Sequence, residues 1–266
     1  MSKRNAAPPP KLLVEERQRQ IVELARANGR VTVEGLAERY GISAVSIRRD
    51  LEYLEQVGSL KRSHGGAVPA ASSQLDVPLP IKETRRLPEK RRIGEAAARM
   101  IADGETIILD SGSTTVEIAR QIRQRKWKSL TVITNALNIA LELSGLPTVR
   151  VMMLGGMLRQ TSYSLAGPDA EQALSRLTAD RLFLGVDGLD PAVGVTTPDP
   201  QEASLNMLMI KVSREVVAVL DATKLGQRSL SVIAPLRALH VVISDTSASK
   251  VHADAIRKQG VELVLV

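Results

Sequence analysis

Residues 17–67 read RQRQIVELARANGRVTVEGLAERYGISAVSIRRDLEYLEQVGSLKRSHGGA, and their spacing decides the first unit of the fold. Apolar Leu13, Ile21, Leu24 and Ala25 fall at near-helical spacing until Gly29 ends the run. Val31-Thr32-Val33 leads into a short second helix, Glu34 to Tyr40, with Leu36 and Ala37 turned inward. Gly41-Ile42-Ser43 is a tight turn, and Ser43 suits the cap of a third helix because its hydroxyl can accept from a first-turn N–H. That helix, AVSIRRDLEYLEQVG, carries Ile47, Leu51 and Leu54 at i, i+4 and i+7 and stops at Gly58. Two short helices joined by a glycine-containing turn make a helix-turn-helix. SLKRSHGGAVPA (59–70) then reads as a β-hairpin wing turning near Gly65-Gly66.

On the third helix Val45, Ser46, Arg48 and Arg49 lie away from the Ile47/Leu51/Leu54 face. Arginine can make bidentate contacts to guanine or clamp phosphate, and serine can contact phosphate or a base edge. Lys61, Arg62 and His64 on the wing are placed to reach backbone phosphates or the adjacent minor groove. The competing reading is a solvated helix whose arginines pair with Asp50, Glu52 or Glu55.

Charge favours the polyanion. Residues 1–92 hold 18 Lys and Arg against 11 Asp and Glu, a net +7, and residues 93–266 balance at zero. Such asymmetry is expected of one segment that meets nucleic acid and one that does not. With aromatics at 2%, a stacking platform for single strands is not expected. The absence of cysteine excludes disulfides and thiolate metal sites and fits the cytoplasm. His64, His240 and His252 are scattered without ligand spacing, so no metal is expected, and His240 reads as structural. No run is long and apolar enough to span a bilayer, and MSKRNAAPPPK lacks the apolar core of a secretory signal.

Working outward, residues 1–11 read as a disordered tail, 12–69 as the winged helix-turn-helix, 70–88 as a linker and 89–266 as a second domain. Within the linker, Leu75, Val77, Leu79 and Ile81 are available to pack on a neighbouring surface. Beyond it, β-rich runs at 106–110, 130–134, 149–154, 181–186, 215–221, 240–244 and 261–266 alternate with helical stretches. Near-continuously apolar strands alternating with helices predict an α/β domain with a mostly parallel sheet covered on both faces.

The strand TIILD runs into Ser111-Gly112-Ser113-Thr114-Thr115 and then a helix. A small, hydroxyl-rich turn there offers N–H groups, hydroxyls and a helix N-terminus, which suit phosphate, although an ordinary capped turn has the same composition. No lysine follows the glycine as a Walker-type nucleotide loop requires. Thr134-Asn135, Gly155-Gly156 with Arg159, Asp187-Gly188 with Asp190, and Asp221 with Lys224 sit at other strand ends, where loops converge. Lys224 or Arg159 could neutralise a phosphate; Asp110, Asn135 and Asp187 could meet sugar hydroxyls. Turn-forming and surface roles account equally well for each alone.

The pieces LAERYGIS, SIRRDLEYLE and HGGA resemble the DNA-binding domain of the DeoR family of bacterial sugar-metabolism regulators, with Ser46 where the family more often has threonine. ILDSGSTT, VITNA, LGGMLRQTSYSLAGPDA, LFLGVDGLD and DATKLG, in this order, resemble that family's effector domain, similar in fold to ribose-5-phosphate isomerase and coenzyme A transferases. The stretch TTPDPQEASLN resembles the amino-sugar, N-acetylgalactosamine type. The resemblance implies a repressor of a carbohydrate-catabolism operon that binds double-stranded operator DNA as a homodimer or homotetramer and is relieved by a phosphorylated sugar, without cofactor or membrane. One alternative is an isomerase-like enzyme using Asp187, Asp190 or Glu202 as acid or base, but GVTTPDPQEA stands where such isomerases carry a Lys-Gly-Gly-Gly run. The other is a DNA-binding activator without a small-molecule ligand.

Overall fold

The computed structural model describes residues 13–57, 59–63, 65–69 and 77–266, in two compact units that part between Val77 and Pro78. The first contains α1 (Val14–Asn28), β1 (Val31–Thr32), α2 (Val33–Tyr40), α3 (Ala44–Gln56), β2 (Leu60–Ser63) and β3 (Gly66–Pro69). Thr32 and Ser43 cap α2 and α3, each hydroxyl accepting at 3.2 Å from the N–H three residues on. Gly41, at φ 63°, supplies the left-handed residue that ends α2 and lets α3 leave at an angle. Ile21, Ala25, Leu36, Ile47, Leu51, Leu54 and Leu60 are buried together as this unit's core.

The wing pairs Lys61 with Val68 and Ser63 with Gly66. A third strand absent from the sequence reading, β1, joins it through Val31↔Ala67 and Thr32↔Gly66. Two residues are too few to show alternation. Gly66 is sterically required, since a Cβ there would stand 2.0 Å from the Val31 carbonyl oxygen.

The second unit runs α4 (Leu79–Thr84), α5 (Leu87–Arg99), β4 (Thr106–Leu109), α6 (Thr115–Gln124), β5 (Leu130–Thr134), α7 (Leu137–Leu143), β6 (Val149–Met153), β7 (Met157–Arg159), β8 (Ser164–Ala166), α8 (Pro168–Leu174), β9 (Ala179–Gly185), β10 (Gly188–Asp190), β11 (Gly194–Thr197), α9 (Pro200–Val212), β12 (Ser213–Val219), β13 (Ser231–Ala234), β14 (Val241–Ser244), α10 (Lys250–Lys258) and β15 (Glu262–Leu265). Seven strands form one parallel sheet in the order β15-β14-β12-β9-β4-β5-β6. Its side chains alternate between two cores. Ile107, Leu109, Val132, Phe183, Val217 and Ile243 face α5, α6 and α7, while Ile108, Ile133, Leu182, Val216 and Val242 face α8, α9 and α10. Burial on both faces is why these strands read as apolar runs. No described helix is long and apolar enough to cross a membrane.

The linker reading needs correction in its second half. Residues 79–84 form α4, Leu79 is buried at 2% exposure, and its N–H donates to the Thr161 carbonyl at 2.7 Å. Proline and charge in LPIKETRRLP resemble a connector, but Pro80 sits in the first turn of α4 and Pro88 in that of α5, where no intrahelical N–H is needed. Residues 70–76 and the tail 1–11 lie outside the described residues. The sequence also did not reveal the ribbon β7-β8 or the antiparallel sheet β10-β11-β13.

α1 is tied to α3 by an ion pair. Arg17 Nε donates to Asp50 Oδ2 at 2.7 Å and Gln18 Nε2 to Oδ1 at 2.9 Å, with Asp50 4% exposed. Arg17→Ala leaves a buried carboxylate without its cation and should destabilise the first unit by about 3 kcal/mol, read as an early transition in urea denaturation; an unchanged midpoint would refute the role.

Candidate DNA-reading face and effector site

Asp50 is taken by Arg17 and Glu55 accepts from the Arg62 N–H, so two of the three anticipated competitors for the arginines of α3 are engaged elsewhere. Arg48 and Arg49 are exposed and make no ion pair among the described residues, and Val45 beside them is 57% exposed. The Ser46 hydroxyl lies 3.0 Å from that of Ser43, so the cap and the adjacent polar group form one patch. Arg62 leans from the wing onto α3. Its Nη1 donates to the Arg48 carbonyl at 3.3 Å, and its backbone N–H donates to Glu55 Oε1 at 2.8 Å. Lys61 is exposed on the same strand, and His64 lies outside the described residues. Val45, Ser46, Arg48 and Arg49 thus occupy the first turns of an exposed second helix, the part that enters a major groove in helix-turn-helix proteins.

In the second unit the chain leaves β4 toward β5 and β6 on one side and later returns to β9 on the other. A crevice at this reversal is where open parallel sheets bind ligands. Asp110-Ser111-Gly112-Ser113-Thr114 fills the gap from β4 to α6, and the N–H groups of Gly112, Ser113 and Thr114 have no partner among the described residues. The Thr115 hydroxyl donates to the Gly112 carbonyl at 3.0 Å, holding the turn. Asp110 is buried at 2% exposure.

After β9 comes Asp187, and two lysines converge on it: Lys82 Nζ at 2.7 Å and Lys224 Nζ at 3.7 Å. Burial works to raise the Asp187 carboxyl, but the two ammonium groups hold it below the usual carboxylate range. A third lysine, Lys90, is 3% exposed and donates to the Lys82 carbonyl. Burial lowers its pKa to about 8 against the opposing pull of Asp221, with Lys224, Lys82 and Arg85 adding repulsion. Asp245 braces this corner, accepting from Ala222 N–H at 2.7 Å and from Arg86 Nη2 at 3.3 Å.

The sequence-derived site residues divide. Ser111, Gly112, Ser113, Thr114, Thr115, Asp110, Asp187 and Lys224 lie around the crevice at the ends of β4, β9 and β12. Thr134 serves the fold, donating to the Leu109 carbonyl at 2.7 Å and accepting from Ala136 N–H at 3.0 Å. Asn135 is fully buried, with Nδ2 donating to the Leu165 carbonyl at 3.3 Å and Oδ1 unpartnered. Gly155 and Gly156 join β6 to β7, and a Cβ on Gly156 would stand 2.5 Å from the Ala166 carbonyl oxygen. Arg159 is occupied by Asp199 at 3.1 Å and Glu202 at 3.3 Å. Asp190 caps Ala192 N–H and pairs with Arg228 at 2.8 Å. Sequence reasoning missed Lys82 and Lys90, because one lay in the presumed linker and the other looked like a helix-surface charge. His240 is structural as expected, its Nδ1 accepting from Val216 N–H at 3.1 Å.

An exposed recognition helix and a parallel α/β domain with lysines gathered at its strand ends, in one chain, define a DNA-binding regulator with a ligand-sensing domain. Residues 17–73 match the DeoR-like helix-turn-helix domain, and residues 85–246 the DeoR C terminal sensor domain. The chain is 38% identical over 253 residues to the HTH-type transcriptional regulator GlpR of Haloferax volcanii, covering 95% of this chain and 98% of that one. It is equally 38% identical over 253 residues to a protein named "Putative aga operon transcriptional repressor" in Escherichia coli O157:H7, covering 94% and 93%. Transcriptional repressor AccR of Agrobacterium fabrum is 35% identical over 87% of this chain and 90% of its own. The chain belongs to the DeoR family of transcription regulators. Among solved structures, ribose 5 phosphate isomerase A from Neisseria gonorrhoeae overlaps 51% of this chain and 52% of its own at 15% identity, with a TM-score of 0.37.

The depressed Lys90 pKa carries a pH signature. Below about pH 8 the lysine is charged in both states and its burial costs stability; above that the folded form sheds the proton first, so stability rises until the unfolded value of 10.5 is reached. Lys90→Met should be more stable than the wild type near pH 7, and this advantage should shrink by up to about 3 kcal/mol by pH 10. Urea denaturation at both pH values checks it; a constant difference would show that Lys90 titrates normally.

Proposed function

We propose that this chain is a cytoplasmic repressor of a carbohydrate-catabolism operon, and that a phosphorylated sugar bound at the β4/β9 crevice releases it from operator DNA. The observation that carries the sensing half is that Lys82 and Lys224 converge on Asp187 beyond β9, with Lys90 buried against the Lys82 carbonyl, while the adjacent β4 ends in a turn whose N–H groups at 112–114 have no partner among the described residues; such a set suits a dianionic phosphoryl group. The repressor sense is supported by relatives that bear that name. The resemblance of the TTPDPQEASLN stretch supports an amino-sugar pathway.

The enzyme reading is weaker on the geometry. Glu202, a candidate acid or base, is consumed by Arg159, Ser162 and Ser164, and Asp190 by Arg228. No cofactor takes part. Two or four copies associate so that paired recognition helices meet repeated or palindromic half-sites. The effector must bind the released arrangement better than the DNA-bound one, and a tenfold loss of operator affinity needs about 1.4 kcal/mol of coupling.

Arg49→Ala should weaken operator binding about 10- to 100-fold in a mobility-shift titration and leave effector binding intact. Lys224→Ala and Ser113→Ala should bind operator normally yet fail to release it when the effector is added. A full response from both variants would move the pocket elsewhere. A thermal-shift screen against amino-sugar and ketose phosphates comes first, because a ligand that binds only the folded state raises its melting temperature.

A further inference from the structure

Three carboxyl groups meet around the carboxyl ends of β4 and β9, and they are not equivalent. Asp187 is paired with Lys82 and Lys224. Glu202 is met by Arg159 at 3.3 Å and by the hydroxyls of Ser162 and Ser164, each at 2.7 Å. Asp110 has no cation among the described residues, although it is only 2% exposed. Its partners are the N–H groups of Ser111 and Gly185 and, at 3.5 Å, the Ser111 hydroxyl. The cations of the site are committed elsewhere: Lys82 and Lys224 to Asp187, Arg159 to Glu202 and Asp199, and Lys90 to the Lys82 carbonyl.

A buried carboxylate without a counter-ion is avoided by taking up a proton. Burial first, and then the negative charges of Glu202 and Asp187, push the Asp110 carboxyl well above the usual carboxylate range. A bound metal ion is not the missing partner on this geometry, because the described residues hold no group of three carboxylate or imidazole side chains at ligand spacing.

We propose that Asp110 is a specificity residue that serves as an un-ionised acid, its O–H donating a hydrogen bond to an uncharged oxygen of the effector next to the anion cradle. This rests on the sensing function proposed above. Asp187, as a carboxylate, can only accept, so sugar hydroxyls can donate to it; a ring, carbonyl or hydroxyl oxygen presented as an acceptor needs a donor, and Asp110 supplies it. The ligand class follows: one anionic end held by Lys82, Lys90, Lys224 and the turn at 112–114, and an adjoining neutral polyhydroxyl portion.

The test compares Asp110→Asn, which keeps the shape and a donor without charge, with Asp110→Ala, which keeps neither. Calorimetric titration of the full chain uses inorganic phosphate and a panel of hexose, ketose and amino-sugar phosphates. The expected result is that Asp110→Asn binds the tightest sugar phosphate within about threefold of wild type and Asp110→Ala about tenfold more weakly, while inorganic phosphate binds all three alike. Equal loss in both variants would make Asp110 an ionised acceptor and overturn the proposal, as would undiminished sugar-phosphate binding by Asp110→Ala. Carbon-13 spectra of aspartate-labelled protein at pH 7 should show a protonated carboxyl that disappears in Asp110→Asn; an ionised Asp110 also overturns it. If the wild type binds no phosphate of any kind, the sensing function itself fails and the proposal falls with it.

Discussion

The sensor half depends on one topological constraint: β4 is central in a parallel sheet whose next strands add on one side and whose later strands add on the other. Parallel strands must be joined by crossovers, and where the crossovers change direction the loops at the strand ends cannot close over one another. The turn 110–114 and the segment after β9 border this gap, and Lys224 reaches it from the end of β12. Helices cover both faces of the sheet, and the N–H groups at 112–114, at its strand ends, have no partner among the described residues.

Charge at that opening is arranged under desolvation. Asp187 holds two lysines in place while giving them a partner that a stronger anion can displace, and Lys90 is kept buried at a cost to its own charge. The buried charge of Lys90 is thus unfavourable to the fold, as groups kept for function often are.

The DNA-reading half rests on a smaller device. Arg17 and Gln18 of α1 occupy Asp50, while Arg48 and Arg49 of α3 stay exposed. Gly66, Gly41 and the two hydroxyl caps then set the wing and the turn that orient the helix.

Amino-acid order alone determined the helix-turn-helix, because local spacing, caps and a glycine turn are short-range signals, and it determined the alternation of strands and helices to within a few residues. It also marked Asp110 to Thr115, Asp187 and Lys224, since polar residues at the ends of apolar strands stand out. Strand order, the added ribbon β7-β8 and the helix α4 came only from tertiary structure. So did the partners of charge: Arg159 pairs with Glu202 and Thr134 donates to the Leu109 carbonyl, whereas Lys82, in the presumed linker, pairs with Asp187, and Lys90, read as a helix-surface charge, is buried against the Lys82 carbonyl. The physical reason is range. Spacing encodes which face of an element is apolar, but an ion pair between residues about a hundred positions apart, such as Lys82 with Asp187, is written only in the packed fold.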